Sequence, residues 1–171
     1  MRSERVKERI KRIALVGMLT CLAFVLSFLE SLVPLSAAVP GVKIGLANIV
    51  TLFAVYKLDW KGALFVTTAR IALASFAFSG LFAGLYALCG GLLSLAVMLA
   101  LKRWDVFSCV GVSICGGVSH NIGQLLFALF VFDSSALWLY MPVLFVAGAL
   151  AGAFVGMLGA FAVKRIKINI N

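Results

Sequence analysis

Charged side chains are scarce in this sequence. Asp, Glu, Lys and Arg make up 12% of its 171 residues, hydrophobic residues make up 64%, and the mean hydropathy is +1.15. A water-soluble domain of this size turns much of its surface to solvent and cannot hide that much apolar area. A soluble fold is therefore excluded, and a bilayer is the expected surrounding. Metal-binding patterns are missing too. Cys21, Cys89, Cys109 and Cys115 all fall in apolar segments, none forms a C-x-x-C pair, and the single histidine cannot complete a zinc site with them. These cysteines read as small packing residues, and neither a metal nor another cofactor is expected. No P-loop, dinucleotide fingerprint, nucleophile elbow or metal-binding helix motif occurs, so no catalytic residue is assigned and an enzyme is not expected. No polar segment is long enough to form an ATPase domain, so a transport function would draw its energy from ions or from a partner.

What is present is a series of apolar runs, each near the ~20 residues that a membrane helix needs. Six can be drawn: Ile13–Val33, Lys43–Tyr56, Gly62–Ser79, Gly80–Leu101, Val106–Phe132 and Leu137–Val163. The second is short, and the third and fourth meet almost without a linker at Phe78-Ser79-Gly80. The chain thus reads as an all-α membrane protein, a single integral membrane domain over 1–171. A basic lead-in covers 1–12, a six-helix bundle 13–163 and a basic tail 164–171. The lead-in resembles the start of a signal peptide, but no small-residue cleavage site closes a short apolar core, so an uncleaved helical start is expected.

The net charge of +9 is distributed unevenly. Of the 15 Lys and Arg residues, all but Lys43 and Arg70 fall in the lead-in, the tail, or the links at Lys57–Lys61 and Lys102–Arg103. Those four places lie on one side of a six-span chain. The positive-inside rule then puts both termini in the cytoplasm of a bacterial-type plasma membrane. The basic charge serves topology and attraction to anionic lipid rather than nucleic acid.

With that orientation, each polar residue inside a span acquires a depth. Glu30 ends the first helix near the outer surface, and Lys43 begins the second at the same level. Asn48 lies about a turn and a half further in, at ~1.5 Å per residue. Arg70 is near the middle of the third helix. His120 is at or just beyond the midplane of the fifth, with Gln124 one turn closer to the outside. Six polar side chains from four helices gather in the outer half, which predicts an outward-facing polar pocket. Ser113, Gly116, Gly117, His120 and Gln124 share one helical face, and Asn121 lies about 100° round, within reach of a neighbouring helix. Lys43, Asn48, Arg70, His120, Asn121 and Gln124 are the candidate ligand-binding residues.

Structural roles compete for each of these. Arg70 at a helix centre costs ~2.5–3.5 kcal/mol on insertion scales, and an ion pair with Glu30 would offset that cost. For His120 the structural alternative is a bond to a backbone carbonyl, for Asn121 and Gln124 it is joining helices, and for Lys43 it is marking the membrane edge by snorkelling. Gly80 and Gly84 in the fourth segment, and Gly148, Gly152 and Gly156 in the sixth, recur every four residues and predict close helix packing.

Four blocks occur together: Pro40-Gly41-Val42-Lys43-Ile44-Gly45-Leu46-Ala47-Asn48; Arg70; Cys89-Gly90-Gly91-Leu92-Leu93-Ser94; and Gly116-Gly117-Val118-Ser119-His120-Asn121-Ile122-Gly123-Gln124. In order and spacing the chain resembles, over nearly its whole length, the Gx transporter family, often labelled heptaprenyl diphosphate synthase component I. That family is similar in turn to the substrate-binding, or S, components of energy-coupling-factor transporters. The resemblance implies an S-component-like bundle that takes up a small anionic, isoprenoid or vitamin-like molecule with a transmembrane coupling subunit and ATPases, in contact with membrane lipids. It also admits an accessory membrane subunit of polyprenyl diphosphate or quinone metabolism. A structural subunit of a membrane redox complex is a third reading. The paired Asp-rich motifs of prenyl diphosphate chemistry are missing, Asp59, Asp105 and Asp133 being isolated. The Ala-x-x-x-Ala docking motif of S components is also missing; the nearest small pair on helix one is Gly17 and Cys21.

Overall fold

The computed structural model describes residues 2–33, 43–132 and 134–166, and all regular structure among them is helical. Six α-helices follow in order: α1 (Arg2–Ser31), α2 (Leu46–Lys57), α3 (Trp60–Ala74), α4 (Leu81–Trp104), α5 (Cys109–Phe132) and α6 (Met141–Arg165). A π-helical turn, Ser75–Ser79, extends α3, and a 3-10 turn, Ser135–Tyr140, leads into α6. Five of these segments are long and apolar enough to cross a membrane, while α2 has only 12 residues.

The ends of the helices follow local chemistry. Asp59 caps α3, its Oδ1 accepting the Gly62 N–H at 2.9 Å. Ser108 does the same for α5 through Gly111. Gly45, at φ 83°, precedes α2 in the left-handed region that favours glycine. The second helix accordingly begins at Leu46, three residues later than its apolar run suggested, and Lys43 lies in the approach to it.

Burial differs from that of a soluble protein: an apolar core that includes Leu52, Val55, Val66 and Val112 is joined inside by polar side chains, and the exterior is apolar as well. Arg70, Asn121, Gln124, Ser94, Ser113, Thr51 and Thr67 are buried, whereas Phe76, Phe130, Leu150 and Phe161 are exposed. Polar groups turned inward beneath an apolar exterior are what a hydrocarbon solvent selects, so the chain is a multi-pass membrane protein. The short α2 is the exception that lies at the centre. Seven of its twelve residues are buried, and it packs against α1, α3, α4 and α6.

Contacts fix the basic ends of the helices to one face. Arg12 of α1 pairs with Asp59. Lys102 of α4 donates to the Val55 carbonyl of α2 at 2.6 Å and sits over the Tyr56 ring. Gly156 and Gly159 of α6 meet Val110 of α5 and Leu52 of α2. The pocket described next opens away from this basic face.

Candidate ligand pocket

At the end of the bundle opposite the basic face, Glu30 ties α1 to α2: its Oε1 accepts the Gly45 N–H at 2.5 Å. One turn into α2, Asn48 turns inward and accepts from Arg70 Nη2 at 2.7 Å. Ser27, three residues before Glu30 on the same face of α1, is a longer partner for Arg70 Nη1 at 3.5 Å. Arg70 is 8% exposed, its Nε has no partner, and it forms no salt bridge among the described residues. The expected Glu30–Arg70 ion pair is therefore not made. Glu30 is engaged by the backbone at the start of α2, and neutral oxygens hold the guanidinium.

The opposite wall is built by α4, α5 and α6 at backbone-to-backbone range. A Cβ on Gly90 would lie 2.7 Å from the His120 carbonyl and from Gln124 Cγ, and one on Gly123 would lie 2.7 Å from the Cys89 carbonyl. A Cβ on Gly148 would lie 2.8 Å from the Gly117 carbonyl, one on Gly152 2.7 Å from Ile114 Cα, and one on Gly156 2.9 Å from Val110 Cα. Gly84 packs on Ser75 of the π-turn. Gly80 departs from the expected packing stripe. Nothing lies within 4 Å of a Cβ placed there, and the residue instead carries the positive φ, 80°, that turns the chain into α4.

On that wall Gln124 is 1% exposed, and neither polar atom of its amide has a partner. His120 Nδ1, one turn away, is also buried without one. Asn121 is committed differently: its Nδ2 donates to the Leu144 carbonyl of α6 at 2.7 Å, so it joins helices while still lining the pocket.

All six candidate residues, Lys43, Asn48, Arg70, His120, Asn121 and Gln124, line one cavity of about 80 Å³, together with Glu30, Ser94 and Ser113. A second cavity of about 380 Å³ lies beside it, between the end of α1, the π-turn of α3 and the start of α4. Glu30, Lys43, Ile44, Arg70 and Ala87 line both, so Arg70 lies in the wall that the smaller, inner chamber shares with the larger, outer gallery. The gallery, with Ser27, Ser75 and Phe78 in its wall, went unread in the sequence. Ser27 was accessible to that reading through its i, i+3 spacing from Glu30.

The fixed charges here are Arg70 and Lys43 against Glu30, so the site carries a net positive charge. Its donors converge from three helices and from the approach to α2. An anion fits this arrangement, because Glu30 balances only one of the two cations in the lining and a buried charge left unbalanced is costly.

This chain belongs to the heptaprenyl diphosphate synthase component I family. The family's model matches residues 19–162, a span that holds every candidate pocket residue. No curated protein and no solved structure matches the chain. In this family member Asp59 and Asp105 both sit at the basic face, one capping α3 beside Arg12 and the other ending α4 at φ 52°. Both are remote from the pocket lining; Asp133 lies outside the described residues.

Proposed function

We propose that this protein is the membrane substrate-binding component of an energy-coupling-factor type transporter, taking up a small anionic molecule. The observation that carries this reading is Arg70: a buried guanidinium in the wall shared by two cavities, held by Asn48 and Ser27, with no salt bridge among the described residues. The positive-inside rule places the basic face in the cytoplasm, so the pocket faces outward, as uptake requires. The ligand is the missing counter-charge. Gly17 and Cys21 lie on a face of α1 where a Cβ on Gly17 meets nothing and Cys21 is exposed, which leaves room for a coupling subunit that reads a variant of the small-residue motif. No catalytic step is assigned to the chain.

The test is binding in lipid. Native mass spectrometry of the gently extracted protein identifies the bound molecule and any coupling subunit or ATPases. The Arg70→Ala and His120→Ala variants are then titrated with that molecule. Affinities equal to the parent's would refute the pocket assignment. The family's description favours a second reading, an accessory subunit that presents a lipid-like substrate to a soluble prenyl synthase. Capture of such an enzyme, in place of ATPases, would support it. The reading as a structural subunit of a redox complex expects strong Glu30–Arg70 coupling without any ligand, which a double-mutant cycle would measure; Glu30 bonds Gly45 here.

A further inference from the structure

The two cavities differ in size and chemistry, and the difference constrains what the site can hold. The inner chamber, about 80 Å³, is about a fifth of the volume of the gallery, about 380 Å³. It admits one compact end of a ligand, such as the edge of a small ring, but not its whole bulk. Deep in it, Gln124 presents one donor and one acceptor side by side in a plane, both buried and both without a protein partner. A group that satisfies both at once must offer an acceptor and a donor at the same spacing, which is the edge of a primary or cyclic amide. A carboxylate offers only acceptors and leaves the Gln124 carbonyl unmet. The next station outward is cationic, with Arg70 and Lys43 in the shared wall. Beyond it the gallery, about 380 Å³, falls within the ~300–1,000 Å³ of small-molecule sites, and its wall mixes Ile71, Ala74 and Phe78 with serines.

We infer that the ligand is an amide-edged anion: a compact carboxamide, lactam or imide edge docks on Gln124, an anionic group sits at Arg70 and Lys43, and the bulk lies in the gallery. This rests on the reading of the pocket as an anion-binding uptake site and narrows its substrate class. It also separates roles within the site. Arg70 supplies affinity for the charge, and Gln124 supplies the choice among anions.

The experiment uses the full chain in lipid nanodiscs and two small planar carboxylates as probes. Orotate carries an imide edge, and benzoate carries none. Calorimetric titration of the parent protein is expected to show orotate binding about tenfold or more tighter than benzoate, the discrimination that a buried hydrogen-bonding site exerts against an analogue lacking the groups. The near-isosteric Gln124→Met variant should bring the two within about twofold of each other while still binding benzoate. Equal affinities in the parent, with both lost in Arg70→Ala, would overturn the amide assignment and leave the anion pocket standing. A preference for orotate that survives in Gln124→Met would overturn it too. Binding of neither probe, or binding indifferent to Arg70→Ala, would sink both this inference and the pocket on which it depends.

Discussion

The two walls of the pocket are made differently. The α4–α5–α6 wall is a stack of backbones: at Gly90, Gly117, Gly123, Gly148 and Gly152 an added methyl group would run into a neighbouring helix. The α1–α3 wall is a set of side chains reaching across a cavity, with Arg70, Ser27 and Glu30 as its bridges. Buried positions on α1 are correspondingly few, Leu19, Thr20 and Ala23. Close backbone packing leaves no slack and has no alternative arrangement nearby. Side-chain bridges over open volume can re-form at small cost. The first wall is therefore suited to holding Gln124 and His120 in fixed positions, and the second to adjusting around whatever enters.

The comparison can be broken most severely at the rigid wall. In Gly117→Val, a Cβ would strike the Gly148 carbonyl oxygen of α6, and two helix backbones must separate. We expect a loss of about 3 kcal/mol or more, at the upper end for overpacking, read as failure to recover a monodisperse peak in fluorescence-detected size exclusion. If Gly117→Val is as stable as the parent, the wall is not rigid. At the yielding wall the expectation is the reverse. Arg70→Leu should keep or raise thermal stability, because it removes a buried cation with no ion-pair partner. It should weaken binding of an anionic ligand by about a hundredfold, within the range for truncating one member of a buried charged contact. Loss of folding in Arg70→Leu would make Arg70 a structural residue.

Smaller effects sharpen the same contrast. Gly80 joins the π-turn to α4 at φ 80° and ψ 160°, a region that only glycine enters freely. Gly80→Ala should cost about 1–3 kcal/mol through backbone strain alone, since no neighbour is within reach of the new methyl group. The loss should appear in the melting temperature and be matched by Gly80→Ser. The smallest effect concerns the pin between α1 and α3 at the basic face. The Arg12 hydrogen bond is the main cause that holds the Asp59 carboxyl below the usual carboxylate range. A folded-state pKa that is depressed stabilises the protein above the unfolded value of ~3.9, and that contribution is lost as pH falls through the folded-state value. Both side chains are more than a third exposed, so solvent screening keeps the contribution below about 1 kcal/mol. Asp59→Asn should flatten the parent's stability loss in a denaturation series run from pH 5 downward. An unchanged slope would mean that the pair contributes nothing.

Much of this arrangement was legible in the sequence, and the reasons are physical. Basic residues confined to alternate links predicted that successive spans run in opposite senses. A rise of ~1.5 Å per residue then gave depth, which is why Asn48, Arg70, His120 and Gln124 could be assigned to the same half of the bundle from sequence. Helical periodicity also set Asn121 off towards α6, where it bonds Leu144. The misreadings share one cause. Opposite charges at one level suggested the Glu30–Arg70 pair, but Glu30 answers to the point where α2 begins, and the apolar run across Lys43–Leu46 carries no side-chain cap to mark that point. Gly80 fits a four-residue stripe by spacing, yet its backbone conformation, set by the π-turn before it, decides its role. The outer gallery depends on how α1, the π-turn and α4 are placed around one another, which no spacing within a single helix records.

The short second helix settles the sign of the site. Twelve residues give α2 a length of about 18 Å, well under the ~30 Å of hydrocarbon, so its amino end comes to rest beside the pocket rather than in water. Unbonded N–H groups and a partial positive charge of about half a unit gather at such an end, and Glu30 is drawn to it through Gly45. The one carboxylate in the lining is thereby occupied at the tip of a helix. A longer α2, started a turn earlier, would free Glu30 to bond Arg70 directly, and the site would lose its opening for the proposed anionic ligand.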